Sequence, residues 1–271
     1  MFMDILYIII SGLIQSLTEF LPISSSGHLV VFHSIWSAPL NELHLDIVLH
    51  LGSVLALVVY FWKDIIKILS AWVVSFSGKV TAYSRLGWML ILSTVPAVLV
   101  GFFAENIIES VFRSIYWVMS MLILVSIVFL LVERKLKFDK DVFNIGIKES
   151  IWIGIAQCLA FIPGTSRSGI TIITAMALRI KRAEAARYSF LIAIPIILGA
   201  SIRGLIMMAS QGTISSNISM LGIGLFISFI FSFFVIKYLI QYLSNHSLRV
   251  FAYYRIALAL VLIVALAVGV I

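Results

Sequence analysis

A carboxylate, a run of hydroxyls and a histidine stand together early in the chain: Gln15-x-x-x-Glu19, then Ser24-Ser25-Ser26-Gly27-His28. A second polar run, Thr165-Ser166-Arg167-Ser168-Gly169, appears far downstream. Each is introduced in the same way. Gly12-x-x-Gln15-x-Leu17 leads to Phe20-Leu21-Pro22, and Gly154-x-x-Gln157-x-Leu159 leads to Phe161-Ile162-Pro163. A polar motif that occurs twice in very apolar surroundings points to two halves building one site.

The chemistry follows from the residue types. The apolar pattern resumes at Leu29, so a short helix is expected to begin near Ser25, and another near Ile170. A helix start carries free N–H groups and a positive dipole end, which favour an anion. Serine is also a common helix cap, but a cap needs one hydroxyl, not three beside a histidine. Arg167 adds a planar cationic fork suited to phosphate. It could also neutralise Glu19, whose burial in a membrane costs about 2.5–3.5 kcal/mol on insertion scales. A bound cation or a hydrogen-bond network would offset the same cost. The plainer alternative is a solvated Glu19 at the interface.

Together these groups suit a polyanion such as a diphosphate. Glu19 is the candidate metal ligand, because Mg²⁺ takes one or two carboxylates and completes its shell with phosphate oxygens and water. Gln15 can ligate or hydrogen-bond but carries no charge. Asp46 and His50 lie one helical turn apart and could face the same cavity. Asp46 is the weaker candidate for a second carboxylate ligand, since it could equally sit at the outer interface. His33, His44 and His246 have no partner pattern and read as structural or interfacial.

The elements that must position these residues are membrane helices. The 271 residues are 62% hydrophobic and only 11% charged, whereas soluble domains carry about 25% charged residues. The formal charge of +7 reads as membrane orientation and attraction to anionic lipid, not as nucleic-acid binding. One cysteine, Cys158, excludes an intramolecular disulfide and a cysteine metal cage. The stretch from Met1 to Leu17 lacks a basic leader region and is expected to remain in the mature protein.

Six stretches are long enough to span: 44–61, 86–103, 113–132, 188–208, 218–237 and 252–270. Pro96 and Pro195 should kink two of them. Residues 2–37 break at Thr18–His28, and residues 150–180 break at Pro163–Gly169. Each of these is expected to form a re-entrant helical hairpin lining a cavity, since irregular backbone at membrane depth needs protein or water around it. Placing loops 62–85, 133–149, 179–187 and 238–251 in the cytoplasm gathers most Lys and Arg there. The other side keeps Arg113, Arg203, Asp4, Glu42, Glu105 and Glu109. The expected architecture is one all-α integral membrane domain: six spanning helices, two re-entrant hairpins, and an inverted-topology repeat. The halves are about 1–132 and 146–271, joined by a basic linker at 133–145.

At these same residues the chain resembles the undecaprenyl-diphosphate phosphatase family of the bacitracin-resistance type. Gln15-x-x-x-Glu19 is similar to its E/Q-x-x-x-E element. Phe20 to His28 is similar to its hydroxyl–Gly–His loop, and Pro163 to Gly169 to its second motif. Leu51-Gly52-Ser53 also looks like the family, whereas His50 stands where Gln is expected. The resemblance covers essentially the whole chain. It implies hydrolysis of a polyprenyl diphosphate to the monophosphate and phosphate, which recycles the lipid carrier of bacterial cell-wall synthesis and lowers bacitracin sensitivity. It implies a divalent cation (Mg²⁺ or Ca²⁺), a multi-pass protein of the bacterial plasma membrane, and a site open to the outer face.

Carried onto this chain, the resemblance makes Glu19, Ser25, His28 and Arg167 the catalytic set. Gln15, Ser166 and Thr171 become supporting residues. Ser24, Ser26, Gly27, Thr165, Ser168 and Gly169 complete the substrate-binding loops. Ser25 is the expected nucleophile with His28 as base and then acid; attack by His28 itself is the alternative. The expected partners are the lipid substrate and membrane lipids, with no nucleic acid; a homo-oligomer stays open. Inverted repeats with broken helices also describe transporters, so a transporter or flippase of a polyprenyl phosphate lipid is the rival reading. A phosphatidic-acid-type phosphatase is disfavoured: Ser26-Gly27-His28 fits, but its other motifs are missing.

Overall fold

The computed structural model describes residues 2–36, 41–112, 114–135 and 137–268. Arg113 lies outside them, as do the side chains of Glu105 and Glu109. The described chain forms α-helices with no β-strand: α1 (Phe2–Phe20), α2 (Ser25–Ile35), α3 (Glu42–Tyr60), α4 (Trp62–Ser75), α5 (Ala82–Phe112), α6 (Ile115–Lys135), α7 (Ile147–Cys158), α8 (Arg167–Ala177), α9 (Arg182–Ser210), α10 (Ile214–Asn245) and α11 (Arg249–Ala267). Short 3₁₀ turns occupy Val142–Asn144 and Leu159–Phe161. The protein is an all-α, multi-pass membrane protein.

Among the described residues, seven helices are long and apolar enough to cross a membrane. Six fall on the expected spans. The seventh is α1, which the sequence assigns to half of a hairpin. Within its polar end Ser16 and Thr18 return their hydroxyls to the carbonyls of Gly12 and Ile14, at 2.8 and 2.6 Å, so both side chains are satisfied inside the continuing helix. The first break therefore narrows to residues 21–24, whereas α7 and α8 are short, as expected. Pro96 and Pro195 lie within α5 and α9.

A second difference is α4, inside the segment expected as the loop 62–85. Its Ile68 and Trp72 pack on Gly87 of α5, where an added Cβ would meet Ile68 Cγ2 at 3.2 Å. Lys63, Asp64 and Lys67 in its first turns disguise it as a charged loop.

Two close approaches fix the motif helices. A Cβ on Gly12 would meet Ile227 of α10 at 2.9 Å, and one on Gly154 would meet the Ser93 carbonyl of α5 at 2.7 Å. Small residues let membrane helices pack this closely. Thus α1 leans on α10 and α7 leans on α5, and likewise α3 packs on α10 and α9 on α5. Each half of the chain is built against helices of the other.

The basic loops meet at one end. Glu133 at the end of α6 pairs with Arg182 at the start of α9 and accepts the Leu248 N–H from the α10–α11 turn at 2.8 Å. Lys140 reaches Glu149, Lys181 reaches Asp141, and Arg187 reaches Asp64. Backbone bonds join Lys140 to residues 179–181. The cytoplasmic loops inferred from charge are therefore in mutual contact.

Candidate active site

Gln15 and Glu19 share one face near the end of α1, four residues apart. Gln15 Nε2 donates to Glu19 Oε2 at 3.2 Å. Ser25, the first residue of α2, donates its hydroxyl to the same oxygen at 2.8 Å. Arg167, the first residue of α8, pairs with the other carboxylate oxygen, Oε1. His50 Nε2 from α3 stands 3.6 Å from Oε2. Glu19 is only 7% exposed, so the Arg167 pair and these hydrogen bonds offset the cost of its burial. Of the offsets open from sequence, the Arg167 pair and the hydrogen-bond network are both realised.

The two breaks have one local design. Ser24 caps α2 and Ser166 caps α8, with φ values of 77° and 69°. Non-glycine residues rarely hold such a backbone, and it costs roughly 1–3 kcal/mol. Each cap hydroxyl accepts an N–H three residues on: Gly27 at 3.4 Å and Gly169 at 3.1 Å. Each also lies beside a neighbouring hydroxyl, Ser26 at 3.3 Å and Ser168 at 3.2 Å. The sharp turn presents the next residue at the helix mouth. In one half that residue is Ser25, and in the other it is Arg167. The α8 start thus lies three residues before the expected Ile170.

These residues line a cavity of about 420 Å³. Glu19, Ser24, Ser25, Ser26, Ser166 and Arg167 stand on its wall together with Asp46 and His50 of α3. Two helix N-termini and Arg167 give it the character of an anion site. Its acceptor oxygens are also notable: Asp46 Oδ1 and Gln157 Oε1 are buried without a hydrogen-bond partner, as is Gln15 Oε1 behind the wall. Among the described residues no three His, Cys, Asp or Glu side chains group to hold an ion. Glu19 and Asp46 are the two carboxylates on the cavity wall, the kind of oxygen donor a hard cation takes in ones and twos.

Other expected site residues stand behind the wall. Ser168 braces the second break against the first by donating to the Leu21 carbonyl at 3.2 Å. Thr171 bonds the carbonyls of Arg167 and Ser168 and the Ser189 hydroxyl. Thr165 is fully buried. Gly27 and Gly169 donate to the caps. His28 is turned away: Nδ1 lies 2.7 Å from the Ser24 carbonyl, and Nε2 lies 2.6 Å from the Tyr254 hydroxyl of α11. In the tautomer this network assigns, Nδ1–H donates and Nε2 accepts from Tyr254. The structure places His28 on Tyr254, not on the cavity wall.

The family model described as bacitracin resistance protein BacA matches residues 8–261. The chain belongs to this family. It is 40% identical over 256 residues to an undecaprenyl-diphosphatase of Desulforudis audaxviator, covering 94% of this chain and 95% of that one. An undecaprenyl-diphosphatase of Renibacterium salmoninarum is 35% identical over 268 residues, covering 97% and 96%. One from Teredinibacter turnerae is 37% identical over 265 residues, covering 97% and 100%.

Sequence reasoning missed three groups at the site of this BacA-family chain. Gln157 and Ser201 line the cavity, each 2% exposed. Tyr254 holds His28. Gln157 carried a signal, since it repeats Gln15. Ser201 and Tyr254 carried none.

Proposed function

We propose that this protein is a membrane phosphatase that hydrolyses undecaprenyl diphosphate to undecaprenyl phosphate and phosphate. The observation that carries the reading is the Ser25 hydroxyl donating to a buried Glu19 that is itself paired with Arg167, at the meeting of two helix N-termini. A transporter needs a site for the anion but not a hydroxyl hydrogen-bonded to a base. Membership of the BacA family, with relatives named undecaprenyl-diphosphatase, supports the same choice.

In this mechanism the diphosphate binds against the helix starts, and Arg167 turns from Glu19 to its oxygens. Ser25 Oγ attacks the terminal phosphorus while Glu19 takes the hydroxyl proton. The bond to the bridging oxygen breaks, and the lipid monophosphate leaves. Glu19 gives that proton to the departing monophosphate, then takes a proton from the water that attacks the phosphoserine and returns it to Ser25 Oγ as the phosphorus–serine bond breaks and phosphate leaves. The Ser25–Glu19 distance favours Glu19 as the base over His28, which engages Tyr254. Glu19, with Asp46 as a second carboxylate, would hold a divalent cation. When bound, such an ion supplies charge neutralisation on the diphosphate oxygens. The protein would act in the bacterial plasma membrane with the cavity open to the outer face and the basic loops in the cytoplasm, and the prenyl tail in lipid.

The test is phosphate release from undecaprenyl diphosphate by purified protein in detergent, with and without EDTA. We expect release that EDTA abolishes and Mg²⁺ or Ca²⁺ restores. No release from folded wild type with added cation would overturn the phosphatase reading and favour lipid transport.

A further inference from the structure

Among the described residues Arg255 is the largest fully buried side chain, at 0% exposure, and it lies in α11, outside both motifs. A buried arginine is expected to sit against a carboxylate. Among the described residues Arg255 has none within ion-pair distance; its partners are neutral oxygens. Nη1 donates to the Pro22 carbonyl at 3.2 Å, and Nη2 donates to the Gly164 carbonyl at 3.0 Å. Nη2 also reaches the Met121 carbonyl at 3.0 Å, and Nε reaches the Ser126 hydroxyl at 3.1 Å. The first two partners are the decisive ones. Pro22 lies in the first break and Gly164 in the second. One guanidinium thus bonds both interrupted segments and ties both to α6.

The surroundings allow little slack. Gly164 has φ +90°, and a Cβ there would meet the Val118 carbonyl oxygen of α6 at 2.5 Å. The second break is therefore pressed onto α6 where Arg255 reaches it. The neighbouring residue on α11, Tyr254, holds His28. An arginine has five N–H donors in a rigid plane, and four partners are met here. A lysine ammonium keeps the charge but cannot address four oxygens in that layout.

We propose that Arg255 is a positioning residue that fixes the Ser25 half-site and the Arg167 half-site relative to each other. The proposal rests on the reading that both breaks serve one phosphate site. The reacting groups come from opposite halves of the chain, and a shift of about 1 Å between such groups can cost 10²-fold in rate. Arg255 touches neither the cavity nor Glu19, so it acts only through the two loops.

The experiment compares wild type, Arg255→Lys and Arg255→Met as full-length protein, each taken as the folded fraction from size exclusion. Hydrogen–deuterium exchange is followed in the peptides covering 20–28 and 160–169, and phosphate release is measured as kcat and KM. We expect exchange to rise in both break segments together in both variants. We expect kcat per folded molecule to fall at least tenfold, with KM changed less than threefold. Arg255→Lys within twofold of wild-type kcat would overturn the proposal, because charge alone would then suffice. So would exchange rising across α6 and α11 while the two breaks keep wild-type protection, since that is the mark of a purely structural residue. The exchange measurement decides the role of Arg255 even if wild type releases no phosphate, an outcome that counts against the phosphatase reading alone.

Discussion

At the scale of single residues, the site is one carboxylate with four partners. Glu19 accepts from Gln15 and Ser25, pairs with Arg167, and has His50 close by. Its substitution should therefore have two separable effects. Glu19→Gln removes the proton acceptor, so phosphate release should fall by about 10²–10⁴-fold, the usual contribution of general-base catalysis. It also leaves Arg167 without its counter-charge. Breaking a buried pair from one side costs about 3–5 kcal/mol, so thermal unfolding of the variant should move to lower temperature. The double variant Glu19→Gln/Arg167→Gln should recover part of that stability and none of the activity. Arg167→Lys keeps a positive charge but loses the planar fork, and we expect at least a tenfold loss in kcat/KM. Near-wild-type turnover in Arg167→Lys would mean that charge alone serves there.

At the scale of elements, the decisive features are the two helix starts. Ser24 and Ser166 combine a hydroxyl cap with a positive φ, and the two properties can be separated by substitution. Ser24→Gly relieves the backbone and loses the cap; Ser24→Ala loses the cap and keeps the strain. Cap loss to alanine costs about 1 kcal/mol, so Ser24→Ala should be the less stable of the two in thermal unfolding, and the same order should hold at Ser166. Equal unfolding temperatures would argue that the φ values carry no strain. The α2 start was legible in sequence, because a hydroxyl run gave way to an apolar pattern at Leu29. The α8 start was read late: Arg167 and Ser168 look like loop residues unless the Ser166 turn is known. The helix α4 was hidden by its charged first turns. The role of Arg255 was not legible, because bonds to backbone carbonyls 91 and 233 residues away leave no pattern in sequence.

At the scale of the molecule, helices early in the chain pack on helices late in it. We infer an interlocked inverted repeat, with α1, α2, α3, α5 and α6 corresponding to α7, α8, α9, α10 and α11. The support is that α1 and α3 pack on α10 while α7 and α9 pack on α5, and that α6 packs on α11. Such an exchange of partners brings a serine from one half and an arginine from the other to the same carboxylate. It also bears on orientation. The basic loops are tied together through Glu133, Arg182 and Leu248, and a cluster of this kind belongs in the cytoplasm. The cavity is lined by Leu43, Asp46 and Ile47 from the start of α3, whereas α3 ends beside α4, whose Asp64 meets Arg187 of the basic face. The cavity mouth should then face outward. Cys158 is the single cysteine, so a Cys158→Ser background allows one reporter at a time. Leu43→Cys, at a residue 57% exposed, should react with a membrane-impermeant maleimide in intact cells. Arg249→Cys on the α10–α11 turn should react only after permeabilisation. The reverse pattern would place the cavity on the cytoplasmic side, and the lipid diphosphate would then have to be presented from within the cell.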